Sequence, residues 1–281
     1  MHTPTPDPRS DVKKALQEDL GSGDISAFAI DPQARAQAGL LCRENALLCG
    51  RDWFEESFRQ VDPDCRIEWL AEEGEALQAD QLVCRVEGPA RALLSAERTA
   101  MNFLQTLSGT ATTTRKFVEL IEGTGCRLLD TRKTIPGLRL AQKYAVRCGG
   151  GLNHRIGLYD AFLLKENHLL AAGGIDPAVK AARALDAEKL LEVEVENLDE
   201  LRQALAAGVD RILLDNFSLP RLREAVQIVG GRIGLEASGD ITEANIRAVA
   251  ETGVDYISIG ALTKHLRAID FSLRFEPFSP H

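Results

Sequence analysis

The sequence predicts an α/β protein in two parts: a small mixed unit of strands and helices, followed by an open, incomplete α/β barrel. Three observations predict it. Residues 36 to 88 alternate short apolar runs with turn signals and enclose one helical pattern, as an α+β unit does. From Arg127 on, the runs CRLLDTRK, AFLLKENH, LLEVEVEN, RILLDN, IGLEASGD and YISIG end in polar or charged residues, and helical stretches separate most of them. Between Asp130, Lys165, Glu194, Asp215, Glu236 and Gly260 the steps are 35, 29, 21, 21 and 24 residues, the length a strand, a loop and a helix need. Repeated strand-then-helix units imply parallel strands with right-handed crossovers. Six units are too few for a full eight-stranded barrel.

In order along the chain, the first ten residues hold three prolines and are expected to fray. A helix is expected over Asp11–Leu20, ended by the turn GSGD. AGLLC, CRIEWL and QLVCRVEG read as strands, and DWFEESFRQV reads as a helix. In ARALLSAERTAMNFLQTLSG, Leu93, Ala96, Ala100, Phe103, Leu104 and Leu107 recur at helical spacing, which predicts a long amphipathic helix that Gly109 stops. Arg98 sits at the edge of its apolar face, where an arginine normally snorkels to solvent. LRLAQKYAVRC reads as a helix whose Arg139, Lys143 and Arg147, four residues apart, form a solvated face.

Composition narrows the function. With 281 residues, 44% of them hydrophobic and 27% charged, the chain is an ordinary globular one that can bury a sizeable core. A net charge of −9 argues against nucleic acid as a partner. No apolar run approaches the roughly 18 residues of a membrane span, and the N-terminus has no apolar signal region, so the expected compartment is the cytoplasm. Six scattered cysteines without a C-x-x-C pair are expected to be inert thiols rather than disulfides or zinc ligands.

Within this acidic chain, residues 130 to 168 carry seven Lys or Arg against three acids. Positive charge concentrated at strand ends points to a small anionic ligand. Arg132 and Lys133 stand at a strand-to-loop junction, and Lys165 ends the apolar run AFLL, where a charge must be paired or face a cavity. Glu192, Glu194 and Glu196 share one face of a strand, and Asp215 ends the next. Such acids at a barrel mouth can hold a hard divalent cation through water, or form salt bridges to the basic cluster. EASGD and SIGA, ending the last two strands, are placed as a phosphate cradle. No G-x-S-x-G, Walker loop, G-x-G-x-x-G or Cys–His signature is present. These parts point to transfer or lyase chemistry on phosphorylated, multiply anionic substrates.

At DTRKTIPGLRLAQKYAVRCGGGLNHRIGLYDAFLLKENH the sequence resembles quinolinate phosphoribosyltransferase, also called nicotinate-nucleotide pyrophosphorylase (carboxylating). The likeness extends to EDLGSGDIS, LLSAERTAMNFLQTLSGTAT, EVEVEN, LLDN, LEASGDI and GVDYISIGALT, which together span most of the chain. It implies an N-terminal α/β sandwich over residues 1–106, with 269–281 packing back on it, and an incomplete barrel over 107–268. It implies a homodimer with shared active sites, or a hexamer. It implies the transfer of phosphoribosyl from phosphoribosyl pyrophosphate to quinolinate with Mg²⁺, yielding nicotinate mononucleotide, pyrophosphate and CO₂, a step of NAD synthesis. Arg98 is then expected to reach into the partner's site. Thr131, Arg132, Lys133, His154, Arg155 and Lys165 are expected to bind the dicarboxylate, with Lys133 and Lys165 catalytic. Glu194 and Asp215 match the acids on the ribose and Mg²⁺ side, as catalytic, substrate and metal residues. Ser238, Gly239, Ser258, Ile259 and Gly260 are expected to hold phosphate. Asp240 departs from the usual Gly or Asn and adds negative charge beside that phosphate. A sister transferase with another acceptor, and a catalytically dead regulator, are the alternatives. The complete set Arg98, Arg132, His154, Arg155 and Lys165 argues against the first, and intact Lys133, Glu194 and Asp215 against the second.

Overall fold

The computed structural model describes residues 6–276. In chain order the elements begin with α1 (Pro8–Leu20), β1 (Arg35–Cys42), β2 (Ala46–Leu47), α2 (Arg51–Val61), β3 (Arg66–Trp69), β4 (Ala76–Leu77) and β5 (Gln81–Pro89). The long α3 (Ala90–Leu120), β6 (Arg127–Leu129), α4 (Arg139–Cys148), β7 (Phe162–Leu164), α5 (Glu166–Ala172), α6 (Ile175–Leu185) and β8 (Leu191–Val195) follow. The chain continues with α7 (Leu198–Ala207), β9 (Arg211–Asp215), α8 (Leu219–Val229), β10 (Gly234–Ser238), α9 (Ile246–Ala250), β11 (Tyr256–Ser258), α10 (Ala261–Lys264) and β12 (Phe271–Phe275). They divide into two compact units.

One unit holds the residues up to Arg115, Ile135–Gly150 and the stretch from Leu262 on. Its antiparallel sheet has the order β12-β1-β5-β3, and β12 hydrogen-bonds along β1 from Ala38↔Phe275 to Cys42↔Phe271. Residues 277–281 of the expected C-terminal return lie outside the described residues, as do the first five of the expected frayed N-terminus. Alternation does the work in β1: Ala36, Ala38, Leu40 and Cys42 face the core, with Phe54, Phe58, Leu93 and Phe271 among their buried companions. Helix α1 starts three residues earlier than its apolar pattern suggests, because Asp7 caps it and Pro8 fits the first helical position. Gly109 does not stop α3, which runs 31 residues. A Cβ there would collide with the Arg267 carbonyl oxygen, so the glycine serves close backbone approach rather than termination. The expected solvated face of α4 is also corrected: Lys143 is fully buried, with Gln142 and Val146, while Ala141 and Ala145 join a core that includes Val12, Trp53 and Leu107.

The other unit holds Lys116–Thr134 and Gly151–Ala261. Its six strands are all parallel, in the order β6-β11-β10-β9-β8-β7. β6 and β7 are not paired with each other, so the barrel stays open, as the count of six units predicts. Strands such as β9 (RILLD) are apolar through their middles because helices cover one face and the barrel interior the other. Among the described residues no helix is long and apolar enough to cross a membrane.

Candidate active site

The apolar strand middles push the first charged residues to the C-terminal ends of the parallel strands, where barrel enzymes do their chemistry. Thr131, Arg132 and Lys133 follow β6, Lys165 follows β7, Glu194 lies on β8, Asp215 ends β9, Ser238 ends β10 and Ser258 ends β11. All eight line one cleft of about 370 Å³, with His154 and Arg155 from the segment before β7. Ten of the expected site residues therefore converge.

Local geometry sets each one. The Lys133 N–H donates to Thr131 Oγ1 at 3.0 Å, a short turn that brings Arg132 and Lys133 out of the strand. Lys165 and Glu194 form an ion pair across neighbouring strands, the lysine half-exposed and the glutamate largely buried. The stretch 154–157 has its four consecutive N–H groups held by side chains. His154 N–H donates to Asp130 Oδ1 at 2.8 Å, Arg155 N–H to His154 Nδ1 at 2.7 Å, and the N–H groups of Ile156 and Gly157 to Asp160 at 2.7 and 2.8 Å. Asp130 is itself fully buried and also accepts from Asn153 Nδ2.

The electrostatics are those of a site waiting for negative charge. Arg155 is only 6% exposed. Burial and the neighbouring Arg132 guanidinium pull its pKa down, against Asp160 and Glu192. Holding like charges together in a partly dry pocket is unfavourable until an anion arrives. Beneath them lie two fully buried acids, Glu192 and Glu236, with His154 Nε2 at 3.0 and 3.5 Å from their carboxylates and Arg211 at 3.3 Å from Glu236. Burial, and then the Glu192 charge, push the Glu236 carboxyl up to about 7, and burial raises Glu192 as well. Sequence reasoning placed Glu192 only on a shared strand face and Glu236 only at a strand end. The available signal was a charge set between apolar neighbours in EVEVE and IGLEA, which is costly unless it serves a site.

Some expected residues stand apart. Arg98 is exposed on α3, in the unit that carries the antiparallel sheet. Gly239, Ile259 and Gly260 flank the lining serines without lining the cleft themselves. Gly239 has φ +101°, and a Cβ there would overlap the Asn216 side chain, so the turn after β10 requires glycine. Ile259 is buried, and its N–H donates to the Leu129 carbonyl, so it continues the sheet rather than offering a donor to a ligand.

Known proteins match both halves of the chain. Residues 110–274 match the family model for the C-terminal domain of quinolinate phosphoribosyl transferase, and residues 24–108 that for its N-terminal domain. The chain belongs to the quinolinate phosphoribosyltransferase family. Within this family it is 39% identical over 267 residues to a Bacillus subtilis protein named probable nicotinate-nucleotide pyrophosphorylase (carboxylating), covering 93% of this chain and 92% of that one. A Synechocystis protein of the same name is 41% identical, covering 94% and 90%. The solved structure of the nicotinate-nucleotide pyrophosphorylase from Francisella tularensis superposes with a TM-score of 0.93 at 50% identity over 96% of both chains. The open parallel barrel with a small antiparallel-sheet unit is therefore the quinolinate phosphoribosyltransferase fold.

Proposed function

We propose that the protein transfers the phosphoribosyl group of phosphoribosyl pyrophosphate to the nitrogen of quinolinate and releases CO₂, giving nicotinate mononucleotide and pyrophosphate for de novo NAD synthesis. The observation that carries this is that Arg132, Arg155 and Lys165 line one cleft, with Arg155 buried and close enough to Arg132 to feel its charge. Guanidinium forks match planar carboxylates, and quinolinate brings two on adjacent ring carbons.

Each group has a task in that reaction. Arg132, Arg155, Lys165 and Thr131 fix the dicarboxylate so that its nitrogen faces the anomeric carbon, and orientation of this kind supplies up to roughly 7–11 kcal/mol of the barrier. Departure of pyrophosphate leaves positive charge on the ribose ring, which the Glu194 and Asp215 carboxylates stabilise, while Lys133 faces the negative leaving group. Ser238 and Gly239, with Ser258 and Gly260, shape the cradle for the ribose phosphate. Once the pyridine nitrogen is quaternary, its positive charge stabilises the electron pair left on the adjacent ring carbon as CO₂ departs, and that carbon then takes up a proton, so decarboxylation follows transfer.

Glu194 and Asp215 present hard carboxylate oxygens at the ends of the neighbouring strands β8 and β9, the donor class Mg²⁺ takes. Two carboxylates under-fill its octahedral shell, so the ion would share its ligands with the diphosphate and water. When bound, Mg²⁺ neutralises charge on the pyrophosphate. The exposed position of Arg98 supports a homodimer in which each subunit lends this arginine to the other's site, or a hexamer of such dimers. The acidic net charge supports an enzyme that binds no nucleic acid. The test is to incubate the pure protein with quinolinate, phosphoribosyl pyrophosphate and Mg²⁺. Nicotinate mononucleotide and CO₂ are expected in equal amounts. Loss of CO₂ from quinolinate without the ribosyl donor would refute the order of steps, and no product at all would refute the function.

A further inference from the structure

The segment that carries Arg155 has an unusual support. It lies between the isolated bridge of Leu152 to Leu129 and β7, and the N–H groups of residues 154 to 157 donate to side chains rather than to a backbone ladder. Three acceptors do this. Two are the side chains of Asp130 and Asp160. The third is His154 Nδ1, 2.7 Å from the Arg155 N–H. An imidazole nitrogen accepts only when it carries no proton, so this contact requires the neutral ring with its proton on Nε2.

On the other side of the ring, Nε2 points away from the 154–157 backbone and into the barrel. It lies 3.0 Å from Glu192 Oε2 and 3.5 Å from Glu236 Oε2. Both acids are fully buried on β8 and β10, the strands flanking β9. Among the described residues, neither Glu192 oxygen nor Glu236 Oε1 has a hydrogen-bond partner, so the His154 contact to Glu192 is a close charge contact rather than a formed hydrogen bond. Buried acids in this state call for a donor: Arg211 Nη1 donates to Glu236 Oε2 at 3.3 Å, and His154 Nε2 is the nitrogen set 3.0 Å from Glu192.

We propose that Glu192 and Glu236 are positioning residues for the reaction proposed above: from the floor of the cleft, which Glu236 helps to line, they hold the His154 ring with its proton on Nε2, which leaves Nδ1 free to grip the Arg155 backbone and so sets the place of the Arg155 guanidinium. The chain of contacts is short. The acids fix the ring, the ring fixes one peptide N–H, and that residue's own side chain, braced by Nη1 on the Ala161 carbonyl at 3.3 Å, faces the ligand. A second shell that fixes the tautomer of a functional histidine is a recurring device. Here the histidine's neighbour, rather than a metal, receives the effect. The inference rests on the quinolinate reading for its kinetics but not for its spectroscopy, so the two can fail separately.

The experiment has two arms. In the first, ¹⁵N spectra of the histidine-labelled protein resolve the five rings, and His154→Gln assigns the one that matters. The expected spectrum shows a protonated Nε2 and a bare Nδ1 on His154 in the wild type, lost in Glu192→Leu and Glu236→Leu and restored in the matching Gln variants, whose amide oxygen can still accept. In the second arm, the Leu variants raise KM for quinolinate about tenfold, the scale of one lost buried hydrogen bond, and leave KM for the ribosyl donor within about twofold. The Gln variants return toward wild type. Should the Leu variants not fold, the wild-type spectrum and the Gln variants decide alone. A doubly protonated ring, or a proton on Nδ1, in the wild type overturns the proposal. So does a Leu variant that raises both KM values equally, or that keeps the tautomer while losing quinolinate affinity. A stoichiometric metal ion in the pure protein that disappears in His154→Gln also overturns it, because the ring nitrogen would then be a ligand. Wild-type protein inert toward quinolinate but with the expected tautomer would sink the proposed reaction and not the positioning of Arg155.

Discussion

The rim and the floor of one cleft show two ways of keeping charge in a protein. At the rim, Lys133 and Lys165 are exposed or half-exposed, and the Lys165–Glu194 pair can rearrange in water at little cost. On the floor, Arg155, His154, Glu192 and Glu236 are buried, and each is held by a specific partner or pushed from its ordinary pKa. Water sets the energy of the first group and the fold sets that of the second. Rim substitutions should therefore cost activity and leave stability alone, whereas floor substitutions should cost both.

The largest effect sharpens the rim half of that contrast. Arg132→Ala or Lys165→Ala should lower kcat/KM for quinolinate by at least about 10²–10³-fold, the scale for removing one charge-stabilising donor, with the melting temperature unchanged within error. A rim variant that keeps near-normal kinetics would erase the distinction. The next tests whether the rim is completed by a second chain. Arg98→Ala and Lys165→Ala proteins, each inactive alone, should recover about a quarter of wild-type activity when mixed and allowed to exchange, because half of the dimers would carry one intact site. No recovery would count against a shared site.

Smaller effects belong to the floor. His154→Ala removes the donor facing Glu192 and Glu236, and should destabilise the protein by about 1–3 kcal/mol in denaturant unfolding. The Glu236 carboxyl titrates at about 7 when folded against an ordinary 4.5. The folded state thus holds this proton more tightly than the unfolded chain. The contribution is complete below pH 4.5, declines as pH rises toward about 7, and is level above that. Glu236→Gln should flatten the stability curve across that window. An unchanged slope would mean that the Glu236 carboxyl is not the buried proton holder the geometry suggests.

The same contrast explains what the sequence made legible. Charges that end apolar runs, such as Arg132, Lys165 and Asp215, mark strand ends in one dimension, and all three line the cleft. The six-unit spacing likewise predicted an open parallel sheet. Glu192 and Glu236 could not be paired from sequence, because their meeting depends on β8 and β10 flanking β9 and on His154 crossing from another segment. Periodicity failed in the same way elsewhere. Gly109 reads as a helix stop until the Arg267 backbone is seen against it, and the face of α4 reads as solvated until Lys143 is found buried. Arg98 looks like a rim residue of its own helix because the surface it is proposed to complete belongs to a second chain.

The central claim is that the Arg132, Arg155 and Lys165 cluster exists to seat a two-armed pyridine acid. A crystal structure with quinolinate bound tests it most directly. The account predicts both carboxylates on those three side chains, with the ring nitrogen turned toward Glu194 and Asp215. Quinolinate bound elsewhere, or seated by one carboxylate with the Arg155 guanidinium turned away, would contradict it.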